Sequence, residues 1–313
     1  MTLLADSGSR SPGGGGPASP GDEAPGSPGG GARRPWNVPA RRFGWHLACL
    51  ILLAALLYPI VWLLGTSLKP ADEVTSSLSV LPKSWEWSNY SNALGGIGGT
   101  SFWRFLLNSV VVAGGAVLGN VVSCSLAAFA FARLRFRLSG PLFGFMIATI
   151  MLPHHVVIIP QYAIFQSLGM IDTFWPLILP KFLATDAFFV FLIVQFMRGI
   201  PAELDEAARI DGCGPVRTFW HVLLPLIRPA LITTTIFTFI WTWNDFFSQL
   251  LYLNSPENYT LPLALRLFID QTGTSQYGPM FAMSVLTLVP IGLFFLAFQR
   301  FLVEGVSTSG LKG

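Results

Sequence analysis

Acidic side chains cluster beside two alanines in residues 200–215, IPAELDEAARIDGCGP. Four acids fall within nine residues there, although only 11% of the chain is charged. Alanine favours a helix, and acids near its first turn are stabilised by the positive end of the helix dipole. Pro201 suits the first turn and Gly212 the end of such a helix. The helix suits a groove on a partner protein, with Glu206 pairing to a basic residue. A solvated loop resting on lipid headgroups fits equally well.

A second polar group interrupts an apolar stretch near residue 245. Its members are Asn244, Asp245, Ser248 and Gln249. Acids within membrane spans are functional candidates by default, and Asp186 is the other one here. Asp245 lies about 24 Å along a helix that starts at Ala230, nearer the outer side. We expect the four residues to line the outer part of a translocation path, and an interfacial polar helix end is the alternative.

Catalytic and metal-binding signatures are missing from the sequence. It contains no GxxxxGK[ST], HExxH or GxSxG motif, so we expect no catalytic residues, no cofactor and no ATP site on this chain. His154 and His155 are adjacent, and adjacent side chains do not share a helix face. The three cysteines are widely spaced, which argues against a disulfide framework or a zinc site. Basic residues form no patch that indicates nucleic-acid binding.

Long apolar runs must position these polar groups. The chain is 52% hydrophobic with a mean hydropathy of +0.58, which is typical of a membrane protein. We predict an all-α membrane protein with six transmembrane helices, at residues 47–68, 105–132, 142–165, 175–197, 230–253 and 280–302. Pro153 and Pro160 are expected to kink the third helix. The spacing of Gly115 and Gly119 predicts close helix packing in the second.

Basic residues indicate the orientation. They concentrate before the first span, between the second and third, between the fourth and fifth, and after the sixth. By the positive-inside rule both termini are cytoplasmic, and the loop at residues 198–229 faces the cytoplasm. Residues 1–35 are rich in Gly, Ser and Pro and predict a disordered tail. The long outer loop at residues 69–104 contains Trp85, Trp87 and Tyr90, which suit either the membrane interface or a partner protein.

The pattern Glu206-Ala207-Ala208-x-x-Asp211-Gly212, followed by Leu224-Pro225 and Pro229-Ala230-Leu231, resembles the EAA loop. That loop marks the permease subunits of binding-protein-dependent ABC importers. The resemblance extends over residues 45–313, and the sequence after Phe301 is similar to the tail of the second permease in maltose-type sugar importers. It implies a type I importer permease in the bacterial cell membrane.

The resemblance also implies partners and roles. A second permease, two ABC ATPase subunits that hydrolyse the ATP, and an extracytoplasmic solute-binding protein would complete the importer, with a sugar or oligosaccharide as substrate. The residues expected to couple the loop to the ATPase are Glu203, Glu206, Ala207, Ala208, Asp211 and Gly212. The C-terminal tail would reach between the ATPases, and residues 266–279 would touch the binding protein.

Other functions stay open on sequence alone. Similar permeases carry glycerol phosphates, and the motifs do not separate that substrate class from sugars. An ion-coupled secondary transporter would also place acids within spans, although such carriers are often built from internal repeats and none is clear here. A membrane anchor or receptor without transport activity is the third class.

Overall fold

The computed structural model describes residues 38–77, 79–269 and 276–307. Within these ranges the helices are, in chain order, α1 (Val38–Thr66), α2 (Ala71–Ser76), α3 (Ser88–Gly95), α4 (Phe102–Arg133), α5 (Ser139–Thr149), α6 (His154–Ser167), α7 (Trp175–Phe182), α8 (Ala187–Arg198), α9 (Glu203–Ile210), α10 (Pro215–Thr218), α11 (Leu224–Leu226), α12 (Arg228–Trp243), α13 (Phe247–Tyr252), α14 (Leu261–Ala264) and α15 (Tyr277–Ser307). A π-helical turn, Phe219–Leu223, joins α10 to α11, and 3-10 turns occupy Pro256–Asn258 and Leu265–Phe268. The predicted tail at 1–35, the loop residues 270–275 and the C-terminal residues 308–313 lie outside the described residues.

Among the described helices, four segments are long and apolar enough to cross a membrane alone: Arg42–Thr66, Phe102–Arg133, Trp175–Arg198 and Tyr277–Phe301. Two bent pairs reach that length only together. Ser139–Thr149 and His154–Ser167 meet at 103°, and Pro215–Leu226 and Arg228–Trp243 meet at 75°. Counting each pair as one span gives six, in agreement with the predicted number.

The chain divides between Leu53 and Ala54 into two compact units. The described part of the first unit is the beginning of α1, and its side chains from Arg42 to Leu53 are exposed. Exposed leucines and isoleucines on a helix of this length are stable in contact with lipid tails, so they need no protein partner. All the other helices belong to the second unit.

Helix α4 is the centre of the second unit and packs against α7, α8 and α12. Gly115 and Gly119 face α7, where a Cβ atom would lie 2.9 Å from Ile178 and 2.6 Å from Phe182. The glycine pair therefore serves close helix packing, as predicted. Buried polar side chains on α4 add specific contacts, because Asn120 donates from Nδ2 to Thr238 Oγ1 of α12 at 2.8 Å.

The third predicted span is more sharply bent than a kinked helix. It ends at Thr149 and resumes at His154, with Pro153 immediately before the new helix. Proline lacks an N–H and forces the preceding residue out of the helical region, so α5 cannot continue through Leu152. Pro160 lies inside α6 without ending it.

The fourth and fifth spans are interrupted as well. Between α7 and α8 the backbone of Ala184 is left-handed, with φ of 54°, and Lys181 Nζ pairs with Asp186 Oδ2 at 2.8 Å across the break. The helix predicted over residues 230–253 is broken after Trp243 and resumes at Phe247. The predicted path residues Asn244 and Asp245 thus lie at a break and not on a continuous helix.

The predicted outer loop after α1 is held in a folded conformation by hydrogen bonds. Lys69 is fully buried and donates from Nζ to the carbonyls of Ser77 and Ser79, at 3.2 and 2.6 Å. Tyr90 is half-buried and shares a 2.8 Å hydrogen bond with Ser67 Oγ. Trp85 and Trp87 remain exposed and fit either of the two roles predicted for them.

Candidate coupling loop and translocation path

The predicted cytoplasmic loop forms two helices separated by a glycine turn. Helix α9 begins at Glu203, and the carbonyl of Ala202 accepts the N–H groups of Asp205 and Glu206 at 3.0 and 3.2 Å. The sequence suggested that Pro201 lies in the first turn of the helix. The structure places it just before the helix instead. The three acids of the first turn are placed where the helix dipole favours negative charge.

Gly212 ends α9 in a left-handed conformation, with φ of 80°. Its N–H donates to Arg209 O at 3.0 Å, and Cys213 N–H donates to Ala208 O at 2.8 Å. These two bonds form a Schellman motif, in which a residue with positive φ closes the helix. The second loop helix then runs from Pro215 through the π-helical turn to Leu226.

One face of α9 is exposed in the part of the chain that the structure describes. Glu203, Glu206, Ala207 and Ile210 are exposed at the spacing i, i+3, i+4 and i+7, which places them on the same side of the helix. Ile210 is 86% exposed and adds an apolar side chain to this face. Ile210 is not among the predicted coupling residues, although its helical spacing from Glu203 and Ala207 was the available signal.

The other predicted loop residues are placed differently. Ala208 is only 6% exposed, so it packs within the chain and does not share the exposed surface of Ala207. Asp211 is exposed at the end of α9, where it directly precedes Gly212. Four of the six predicted coupling residues therefore lie at exposed positions on α9 or at its end, namely Glu203, Glu206, Ala207 and Asp211. Gly212 forms the turn that follows.

The C-terminal end of α4 holds the loop. Arg133 Nε lies 2.9 Å from Asp205 Oδ2, and Arg133 Nη2 donates to Ile200 O at 2.8 Å. One helical turn earlier on α4, the ring centroid of Phe129 lies 5.1 Å from the ring centroid of Phe219 in the second loop helix. Arg133 is one of the basic residues that indicate the orientation, and its pairing could not be predicted because its partners are distant along the chain.

The four predicted path residues divide into two pairs. Asn244 is exposed and Asp245 half-buried, and Asp245 Oδ1 accepts Ser248 N–H at 3.0 Å, which caps α13. Ser248 and Gln249 are buried. Gln249 donates from Nε2 to Thr242 O at 3.1 Å and accepts a hydrogen bond from the Thr260 hydroxyl. Asn244 and Asp245 are thus the accessible pair, while Gln249 bridges the helix break.

A clamp on the predicted outer side, the outer clamp, centres on Asp172, which has a left-handed backbone with φ of 62°. Its carboxylate accepts the N–H groups of Asn254 and Ser255, each at 2.9 Å, and the Ser255 hydroxyl at 2.5 Å. Burial by itself raises the pKa of Asp172, but the hydrogen bonds from Ser255 and Asn254 outweigh it and lower the pKa to about 2. The clamp joins the segment before α7 to the segment after α13.

Comparison with known proteins decides the family. Residues 119–308, more than half of the chain, match the family described as binding-protein-dependent transport system inner membrane component. The chain belongs to this family. It is a multi-pass permease of the bacterial inner membrane and is not itself catalytic. Membership implies ATPase and binding-protein partners, and it replaces the ion-coupled carrier and the anchor without transport activity as explanations.

Two relatives and one structure illustrate the similarity. The permease is 32% identical to the diacetylchitobiose uptake system permease protein DasC of Streptomyces coelicolor, over 86% of this chain and 96% of that protein. It is 33% identical to the sn-glycerol-3-phosphate transport system permease protein UgpE of Agrobacterium fabrum, over 86% and 97%. A crystal structure of a bacterial ABC transporter for import of the acidic polysaccharide alginate has the same fold, with a TM-score of 0.73, 24% identity, and coverage of 85% of this chain and 98% of the other.

Proposed function

We propose that this permease forms half of the translocation path for a sugar or oligosaccharide delivered by an extracytoplasmic binding protein. A second six-span permease supplies the other half, and two ABC ATPase subunits bind at the cytoplasmic loops. ATP-driven closure of the ATPase pair moves the loops together and switches the bundle between inward-facing and outward-facing packings.

The observation that carries the coupling role is the exposed face of α9. Glu203, Glu206, Ala207 and Ile210 present two carboxylates, a small residue and an exposed apolar side chain on one side of a short helix. Such a face suits a groove with basic residues at its rim and an apolar floor. Arg133 and Phe129 contact the loop from α4. A push on the exposed face of α9 is therefore transmitted to α4.

The accessible pair Asn244 and Asp245 favours a neutral substrate over a phosphate ester. A carboxylate accepts hydrogen bonds from hydroxyl groups, and an amide both accepts them and donates them to hydroxyl oxygens. A carboxylate that lines the path repels a dianionic phosphate, and the repulsion is strong where water is scarce. DasC, whose name concerns a disaccharide, is one of the relatives that support this substrate class.

Transport by the reconstituted importer tests the proposal. The chain is purified with its co-purifying partners, placed in liposomes with the binding protein, and offered labelled diacetylchitobiose, a mixture of longer oligosaccharides, or sn-glycerol 3-phosphate. We expect ATP-dependent uptake of a saccharide and none of the phosphate ester. Uptake of sn-glycerol 3-phosphate alone would overturn the substrate class. A chain that purifies without an ATPase or a second permease would overturn the assembly.

A further inference from the structure

The C-terminal end of α4 contacts both helices of the cytoplasmic loop through one face. Phe129 and Arg133 are four residues apart, so their side chains lie one above the other on α4. Phe129 packs against Phe219 behind the second loop helix, and Arg133 contacts Asp205 in the first turn of α9. Movement of the loop must therefore either carry α4 with it or break these contacts.

The contacts of Arg133 are well suited to transmit force. Its guanidinium contacts two groups at once: Nε forms an ion pair with Asp205 Oδ2 at 2.9 Å, without hydrogen-bond geometry, and Nη2 donates a hydrogen bond to the Ile200 carbonyl at 2.8 Å. The side chains of Arg133 and Asp205 are 13% and 16% exposed, so water and salt screen their attraction less than at an open surface. The hydrogen bond from Nη2 to Ile200 O gives the contact a direction, which the ion pair alone does not have.

Helix α4 continues to the other side of the unit. Asn120 bonds to Thr238 in its middle, and near its N-terminal end Asn108 donates from Nδ2 to the carbonyls of Glu257 and Tyr259 at 2.8 and 2.9 Å. A rigid helix with hydrogen bonds at three levels is a physical connection between the loop and the segment after α13.

We propose that Arg133 is the positioning residue that couples movement of α9 to α4, and through α4 to the outer segment at Glu257–Tyr259. The inference rests on the proposed function, in which α9 is the contact with the ATPase. Arg133 need not touch the ATPase or the substrate. It acts by holding Asp205 and Ile200 in a fixed relation to the end of α4.

The test compares sugar imported per ATP hydrolysed in the reconstituted importer. We expect the ratio to fall about fivefold in Arg133→Gln, the size of effect for losing a hydrogen-bonded charge. It should fall less in Asp205→Asn, which keeps the Ile200 contact, and Arg133→Lys should restore part of the loss. The double variant Arg133→Gln with Asp205→Asn should be no worse than Arg133→Gln alone, because both remove one connection.

Arg135→Gln is the matched control, because it removes the same charge from an exposed position two residues away and should leave the ratio unchanged. A normal ratio in Arg133→Gln, or losses that multiply in the double variant, would overturn the proposal. If the Arg133→Gln variant purifies without the ATPase, the ratio of sugar imported to ATP hydrolysed is measured in Asp205→Asn and Arg133→Lys instead, and the same expectations apply. Failure of the coupling role itself is seen separately, as absence of cross-linking between position 207 and the ATPase.

Discussion

Gly212 holds the turn of the loop through a conformation that other residues resist. Its φ of 80° costs an L-residue about 1–2 kcal/mol, and a β-branched side chain is the least tolerant. Gly212→Val should therefore reorient α9 and lower ATP-driven uptake severalfold with the chain still in the membrane. Uptake by the reconstituted importer measures the effect.

Gly214 provides the control for this substitution. It is two residues away and has a φ of −74°, and a Cβ atom added there would meet no other atom within 4 Å. Gly214→Val should keep most of the uptake. Equal uptake in the two variants would show that the left-handed turn is unimportant for coupling.

Asp172 should make the outer clamp sensitive to strong acid. Its pKa is lowered from 3.8 to about 2, so the stabilisation is complete above about pH 4 and is lost as the pH falls through about 2. Asp172→Asn keeps a residue that tolerates the left-handed backbone but removes the charge. We expect it to cost about 1 kcal/mol at pH 7, since the clamp is open to solvent.

The apparent unfolding temperature in detergent, measured between pH 7 and pH 2, checks this prediction. The wild-type value should lose its advantage over Asp172→Asn as the pH approaches 2. An advantage that stays constant across this range would mean that the carboxylate charge does not stabilise the clamp.

Residues of the loop differ in how far the sequence could predict them. The helix, its acidic first turn and the stop at Gly212 depend on neighbours in the chain and were predictable. The burial of Ala208 depends on what lies behind the helix, and a sequence gives no such information. Arg133 could not be paired with Ile200, 67 residues away, because a basic residue at the end of a span already has an explanation.

At the scale of elements, the break between α12 and α13 assigns Asp245 two roles that substitutions can separate. Its carboxylate caps α13 through Ser248, and its exposed side lies in the proposed path. Asp245→Asn retains an acceptor oxygen for the cap, whereas Asp245→Ala does not. We expect Asp245→Asn to change KM or substrate preference with little loss of stability, and Asp245→Ala to lose both.

Uptake rates for several saccharides and the unfolding temperature together distinguish the two roles. Unchanged KM and preference in Asp245→Asn would remove this residue from the path. A large loss of stability in Asp245→Asn would instead show that the charge, and not only the acceptor oxygen, supports the cap.

The packing of α4 on α7 gives a prediction about helix contact. Gly119→Leu introduces a side chain where even a Cβ lies 2.6 Å from Phe182, and overpacking of this kind costs about 1–3 kcal/mol. Gly114 lies on the same helix, is exposed, and has open space around a Cβ. Gly119→Leu should lower the unfolding temperature, and Gly114→Leu should not. Equal temperatures would contradict close packing at Gly119.

The elements also show why hydropathy predicts spans better than breaks. A window of apolar residues reports that a segment belongs in lipid, and all six predicted spans contain such residues. The break before α6 has a proline as its signal. The break after Trp243 has a weaker signal, the polar pair Asn244 and Asp245, which also suits a continuous helix that lines a path. Their bonds to Ile240 O and Ser248 N–H form only in the folded chain.

At the scale of the whole molecule, this chain is one part of a larger importer. Family membership places it in the inner membrane with ATPase and binding-protein partners. The exposed face of α9 and the contacts of α4 describe how force would enter it, and the accessible pair Asn244 and Asp245 describes where substrate would pass. The orientation with both termini in the cytoplasm stays a prediction from the distribution of basic residues.

Site-specific cross-linking shows whether α9 is the contact with the ATPase. Cys49 and Cys213 are replaced by serine, since Cys49 is exposed and Cys213 half-buried, and a photoreactive group is attached at Ala207→Cys in native membranes. Arg135→Cys, exposed but off the loop, is the control. We predict an adduct between position 207 and a P-loop ATPase chain, identified by mass spectrometry, that position 135 does not give. Adducts from position 207 to lipid alone, or equal adducts from both positions, would contradict coupling through α9.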